Sequence, residues 1–296
     1  MIISRRCFAT VACAALVSHG LRATSAWAAG EFAERLAGDI ARIETESGGR
    51  LGVAVLDTLT DARFGHRADE RFPMCSTFKL LAAAAILARV DTKQERLDRR
   101  VEFTAADVVV NSPVTKDHVG APGMSLEELC EAAITMSDNT AGNLLLASLG
   151  GPQALTAYAR SLGDTVSRLD RIEPELNEAT PGDVRDTTMP AAMAANMRAL
   201  ALEKALSAVS REQLVRWLIG NKTGDTRMRA GLPAGWRVGD KTGSGERGTT
   251  NDVGVFWPPD RAPVIVSIYL TQTAASPAQR NATLAAVGRA VASALA

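Results

Sequence analysis

Cysteine is scarce in this 296-residue chain, with four in all, too few for a disulfide-dense scaffold. Histidine is scarcer: His19, His66 and His118 are scattered, and no His, Cys and carboxylate cluster has zinc-site spacing, so neither a metal nor a cofactor is expected. An excess of one charge is also missing. The 33 Lys+Arg balance 33 Asp+Glu, so no overall electrostatic pull acts toward nucleic acid or an anionic membrane. No segment reaches the ~18 uninterrupted apolar residues of a spanning helix, so stable membrane association is not expected. G-x-S-x-G is absent, which weakens an α/β-hydrolase reading. What remains is 46% hydrophobic and 22% charged residues, an ordinary globular composition with length for one large domain or two small ones.

The first residues have the form of a targeting segment. Ser4-Arg5-Arg6-Cys7-Phe8 precedes a mild apolar stretch, Ala9 to Val17, and Ala26-Trp27-Ala28 offers small residues where a signal peptidase reads. Paired arginines before a weak apolar run resemble a bacterial twin-arginine export signal. A signal peptide over 1–28 and a periplasmic mature protein are therefore expected. Cleavage leaves Cys75 and Cys130 and a formal charge of −3, since Arg5, Arg6 and Arg22 depart with no acid.

Phe32, Leu36, Ile40 and Ile43 recur at helical spacing within 31–46, and Gly48-Gly49 ends that helix. Strand patterns follow at 51–57 and after Asp61. From Ser76 to Leu218 the pattern is mostly helical, with helices expected at 79–90, 125–135 (opened by the capping box Ser125-Leu126-Glu127-Glu128), 140–149, 190–205 and 212–218. Between them, 170–188 is rich in Glu, Pro, Asp and Thr without periodicity; long structureless loops in compact domains are usually functional. Strand signals return at 235–241, 253–257 and 264–270, and a helix capped by Ser276 closes the chain. Short connections imply antiparallel pairing. The expected fold class is α/β of the α+β type. One antiparallel five-stranded sheet, made from both chain ends and flanked by the terminal helices, occupies 29–70 and 220–296, with a helical domain inserted at 71–219.

Several motifs carry chemistry. Ser76-Thr77-Phe78-Lys79 opens an Ala-rich helix, and i,i+3 spacing brings the Lys79 amine to the Ser76 hydroxyl. A serine at a helix start also sits where backbone N–H groups favour a developing anion. Ser137-Asp138-Asn139 supplies a second hydroxyl and a carboxamide before another helix. Lys-Thr-Gly occurs twice: Lys222-Thr223-Gly224 reads as a helix-end turn, whereas Lys241-Thr242-Gly243 lies in a strand that can align an amide-like substrate. Gly243 to Gly248 matches G-x-G-x-x-G, but a strand follows where a dinucleotide site needs a helix. Each motif alone is also explained by N-caps and turns.

Taken in order, the motifs resemble the class A serine β-lactamases. The match runs from about residue 31 to the C-terminus and is sharpest at 171–179, which resembles that family's Ω-loop, here 171–186. The resemblance implies a β-lactamase/penicillin-binding transpeptidase-like fold. It also implies hydrolysis of penicillins and cephalosporins through a Ser76 acyl-enzyme, as a means of antibiotic resistance. Lys79, Ser137 and Glu173 would be the other catalytic residues. Asn139, Asn177, Lys241, Thr242, Ser244 and Arg227 would bind substrate, and the Ser76 and Ser244 backbone N–H groups would form the oxyanion hole. Arg171 and Asp186 match the pair that closes the loop, and the bond before Pro174 matches one that is cis in the family. A small-molecule β-lactam is the one partner implied, and a monomer is expected.

Departures from the family pattern sharpen the reading. Thr250 stands where many members carry an arginine, and Arg227 falls where others supply the guanidinium from a neighbouring element. Asn111 replaces an aromatic residue beside the cleft. Gly245 and Ala83 occupy the partner positions for Cys75 and Cys130 in family disulfides, so two free thiols are expected and strong carbapenem hydrolysis is not. The rival readings are a penicillin-binding D,D-peptidase and a β-lactam sensor that stays acylated. Glu173 and Asn177 argue against the first, and the missing transmembrane segment against the second.

Overall fold

The computed structural model describes residue 30 and residues 32–295; the expected signal peptide lies outside the described residues. The chain begins with a helix over 32–47 (α1), whose Phe32, Leu36, Ile40 and Ile43 are all buried. Strands β1 (Arg50–Asp57), β2 (Arg63–His66) and β3 (Phe72–Pro73) lead to α2 (Phe78–Asp91). Two short strands, β4 (Arg100–Val101) and β5 (Met124–Ser125), bracket an irregular excursion before α3 (Leu126–Thr135), α4 (Asn139–Leu149) and α5 (Pro152–Ser161). After the Ω-loop, β6 (Thr187–Thr188) pairs with β3, and α6 (Pro190–Ala201) and α7 (Ala208–Ile219) follow. Strands β7 (Arg237–Ser244), β8 (Thr250–Trp257) and β9 (Val264–Thr271) and helix α8 (Pro277–Ala294) complete the fold.

The sheet has five strands in the order β2-β1-β9-β8-β7, all antiparallel, so strands from the two chain ends lie side by side as expected. Its two faces belong to two apolar cores. Leu51, Val53 and Val55 of β1 pack with α1 and α8, while Ala54 and Leu56 join the core built around α2, α3, α4, α6 and α7. Burial on both faces explains why β9 reads as an apolar run interrupted by Ser267 alone before Thr271. Each large aliphatic side chain removed from water contributes about 1.5–3 kcal/mol.

The capping box at Ser125 and the N-cap at Ser276 form as the sequence suggests, and Gln279 completes a second capping box at Ser276. Three helix boundaries differ. α5, not singled out by periodicity, starts at Pro152, whose fixed φ and missing N–H suit a first turn. α6 stops at Ala201 rather than 205, because the Leu202 and Glu203 N–H groups fold back onto the Arg198 carbonyl. α7 begins early, at Ala208, because the Ser207 hydroxyl accepts from the Ser210 N–H. Gly243 to Gly248 runs from the end of β7 into the turn before β8, with no helix following.

Candidate active site

Ser76 lies in a 3-10 turn, Cys75–Thr77, that runs directly into α2. Cys75 takes a φ of +45°, an uncommon left-handed value for a non-glycine residue, at the bend that presents the serine. Lys79, one turn later, is fully buried. Its Nζ donates to Ser76 Oγ (2.9 Å), Asn139 Oδ1 (2.7 Å) and the Ser137 carbonyl (2.8 Å), and lies 3.0 Å from Glu173 Oε1. Gly142 of α4 makes room for this lysine: a Cβ there would sit 2.8 Å from Lys79 Cε. Burial pushes the Lys79 ammonium below its ordinary pKa, and the Glu173 carboxylate opposes that shift. A lysine so placed is a better proton acceptor than one in water.

The Ω-loop brings Glu173 to the same point. Glu173 Oε1 accepts from the Ser76 hydroxyl at 3.2 Å, and Oε2 accepts from Asn177 Nδ2. The side chain of Asn143 on α4 pins the loop backbone, donating to the Glu173 carbonyl and accepting from its N–H, both at 2.9 Å. Asn143 was missed by sequence reasoning; an asparagine inside a helix carries no signal until its partner loop is known. Arg171 Nε meets Asp186 Oδ2 at 2.6 Å, and Asp186 Oδ1 accepts from the N–H groups of Asp170 and Arg171. The Glu173–Pro174 bond is cis. Asn177 Oδ1 is buried without a hydrogen-bond partner among the described residues.

Facing this corner, Asp138 caps α4 and also accepts from the Val114 and Thr115 N–H groups, which fixes the neighbouring Ser137 and Asn139. Asn139 Nδ2 donates to the Val110 carbonyl, so both ends of its amide are held. Lys241 Nζ donates to Ser137 Oγ at 2.9 Å, pairing the second serine with the second lysine. Burial, and then the charges of Lys79 and Arg227, drive the Lys241 pKa well below its ordinary value. Arg227 reaches the ends of β7 and β8 from the segment after α7. Its guanidinium donates to the Gly243 carbonyl (2.8 Å), the Asn251 carbonyl (2.7 Å) and Ser244 Oγ (2.6 Å). Thr250 does not line the cleft. Gly245 lets the end of β7 approach the turn that carries Ser76, since a Cβ there would lie 2.6 Å from Cys75 Sγ. Cys75 and Cys130 are buried and free.

These groups surround a cleft of about 580 Å³, lined among others by Ser76, Asn111, Ser137, Asn139, Asn177, Arg227, Thr242 and Ser244. Lys79, Glu173 and Lys241 lie behind its wall, within hydrogen-bond reach of Ser76 or Ser137. Thr223, from the Lys-Thr-Gly copy read as a turn, also lines the cleft, and its hydroxyl bonds to that of Thr242. That segment does follow α7 as a turn; the sequence offered no sign that the turn touches β7. A second groove, of about 450 Å³, lies beside β2 and α6 and is lined by no serine, threonine or cysteine.

A serine hydroxyl held between an amine and a carboxylate, with a second hydroxyl opposite, is equipped for acyl transfer to serine. Fold and site together define a serine acyl-transfer enzyme of the β-lactamase and transpeptidase architecture. Comparison narrows the class. Residues 35–295 match the model of the β-lactamase enzyme family. The chain is 48% identical over 278 residues to β-lactamase OXY-1 of Klebsiella oxytoca, covering 94% of each, and 53% identical over 255 residues to AST-1 of Nocardia asteroides, covering 86% of this chain and 82% of that one. A solved ancestral class A β-lactamase shares 64% identity at a TM-score of 0.86, over 88% of this chain and 99% of its own. The chain belongs to the β-lactamase enzyme family, in class A. It hydrolyses the β-lactam amide bond, an activity that confers antibiotic resistance, and the D,D-peptidase and sensor alternatives are not favoured.

Proposed function

We propose that Ser76 is the nucleophile and Glu173 the base that releases its ester, a reading carried by one observation: Ser76 Oγ sits 2.9 Å from Lys79 Nζ and 3.2 Å from Glu173 Oε1. Ser76 Oγ attacks the lactam carbonyl carbon, and its proton passes to Lys79, or to Glu173 through water. The developing oxyanion is received by the Ser76 and Ser244 backbone N–H groups. The C–N bond breaks, and Ser137, in contact with Lys241, protonates the departing nitrogen. Glu173 then takes a proton from a water that Asn177 Oδ1 helps to hold, and the resulting hydroxide cleaves the ester to the free acid. Arg227, Lys241, Thr242 and Ser244 bind the ring carboxylate, and Asn139 the acylamide. Penicillins and cephalosporins are the substrates.

The organisation is read as a discontinuous α/β domain, 29–70 with 220–296, enclosing a helical domain, 71–219; the two apolar cores support it. The paired arginines and Ala26-Trp27-Ala28 support export to the periplasm, and no helix among the described residues is long and apolar enough to cross a membrane. The enzyme acts as a monomer on a small molecule.

Turnover of a chromogenic cephalosporin tests the assignment. Wild-type enzyme turns over many times. Glu173→Ala gives one stoichiometric burst, and mass spectrometry finds the acyl adduct on Ser76. Sustained turnover by that variant removes Glu173 from the deacylation step.

A further inference from the structure

Lys116 is a cation in the cleft that the mechanism above does not use. It belongs to a 3-10 turn, Thr115–Asp117, and is exposed, yet it lines the same cleft as Ser76, Ser137 and Arg227. Its backbone position is fixed. The Thr115 N–H and hydroxyl both bond to Asp138, which also caps α4 and carries Ser137 and Asn139 on either side. Its ammonium has neither an ion-pair nor a hydrogen-bond partner among the described residues.

The other cations at the site are committed. Lys79 donates to Ser76, Asn139 and the Ser137 carbonyl, Lys241 to Ser137, and Arg227 to two carbonyls and Ser244. The cleft lining holds Lys116 and Arg227 and no carboxylate. A concave surface of one sign with low-dielectric walls concentrates the field it presents to a ligand. With the ring carboxylate assigned to Arg227, Thr242 and Ser244, positive charge is left over on the wall formed by 111–116.

We propose that Lys116 is a specificity residue that favours β-lactams carrying a second anionic group, a carboxylate or sulfonate on a substituent that passes this wall. The inference rests on the placement of the ring carboxylate proposed above. Arg227 then serves the anion common to all substrates, and Lys116 the anion that only some carry.

The experiment compares the ratio of kcat/KM for a dianionic substrate to that for its monoanionic parent. One pair is an α-carboxybenzylpenicillin and benzylpenicillin; the other is a cephalosporin with and without a sulfonate on its ring substituent. The two pairs distinguish which end of the substrate meets Lys116. Lys116→Gln is expected to lower the ratio about 1.5- to 5-fold through KM in at least one pair, the range of an exposed ion pair. Lys116→Glu lowers it further, Lys116→Arg restores it, and added salt shrinks the wild-type preference. A ratio that Lys116→Gln leaves unchanged in both pairs overturns the proposal, as does a loss that Lys116→Arg fails to rescue. Failure of the ring-carboxylate reading would show separately, as an Arg227→Ala variant with normal KM for the monoanionic parents.

Discussion

The two ends of the cleft are built on opposite principles. At the corner of Ser76, Lys79, Glu173 and Asn177, charges are buried and matched: Lys79 meets three acceptors, and Glu173 takes donors on both oxygens. On the open side, Arg227, Thr242 and Ser244 on one wall and Lys116 on the 111–116 wall give a lining that carries cations without acids. The difference follows from what each end must do. A group that moves protons in the transition state works best when preorganised and shielded from water. A group that captures an anion works best when its charge is left for the ligand to satisfy.

The contrast implies that losses at the buried corner strike kcat and losses at the open end strike KM. The largest effect is expected from Glu173→Ala. General-base catalysis is worth ~10²–10⁴-fold, so steady-state kcat falls by that order while the acylation burst persists. Rapid-quench measurement of burst and steady state decides the point; a variant that loses the burst as well would place Glu173 in acylation too.

The loop that carries Glu173 offers the next break. Asp186 is almost fully buried and holds Arg171 and two backbone N–H groups. Arg171 is only partly buried and keeps Glu178, so removing Asp186 costs about 1.5–3 kcal/mol, the worth of hydrogen bonds to a charged group. Asp186→Ala should therefore lower Tm by roughly 5–10 °C, at about 2–4 °C per kcal/mol for a chain of this size, and slow deacylation more than acylation. A calorimetric scan with the same burst assay reads both, and a drop in Tm with unchanged deacylation would uncouple the loop's anchor from its carboxylate.

At the open end, Arg227→Ala removes a charge-assisted hydrogen-bond donor worth about 1.5–3 kcal/mol, which is roughly 10- to 150-fold in affinity. KM for penicillins should rise accordingly, with a smaller change in kcat. A normal KM would hand carboxylate recognition to Lys241, Thr242 and Ser244 alone.

The contrast between the two ends was only partly readable in the sequence. Ser76 and Lys79 were legible because i,i+3 spacing is a local rule that α2 obeys, and the strand character around Lys241 was legible from its flanking pattern. The sheet was legible from short connections and from the largely apolar runs of β1 and β9. Glu173 and Asn177 came from resemblance; an aperiodic loop has no spacing rule to say which carboxylate points inward. What stayed hidden were contacts between elements far apart in the chain: Asn143 clamping the Ω-loop, Gly142 yielding space to Lys79, Thr223 meeting Thr242, and Lys116 entering the cleft. Each depends on how elements dock, which residue order along one element does not encode.

The smallest effect lies behind the open end, where β8 supports β7. Asp252 is fully buried, its Oδ2 accepts from the Met228 N–H, and its Oδ1 has no donor among the described residues. Its neighbour Asp240 already binds Arg229 and Asn221. Burial, and then the charge of Asp240, raise the Asp252 carboxyl well above its ordinary range, with Arg227 opposing. The protonated form of Asp252 is thereby favoured, and it can donate toward Asp240. The folded protein holds a proton that the unfolded chain releases above about pH 4. This stabilising contribution is full below that pH and is lost as pH rises through the folded-state value. Asp252→Asn supplies a donor to Asp240 that does not titrate. The Tm of the variant should thus gain on wild type steadily between acidic and mildly alkaline buffer, by an amount smaller than any effect above. A difference in Tm that stays flat across that range would mean that no shared proton is held there, and that Asp240 is held by Arg229 and Asn221 without Asp252.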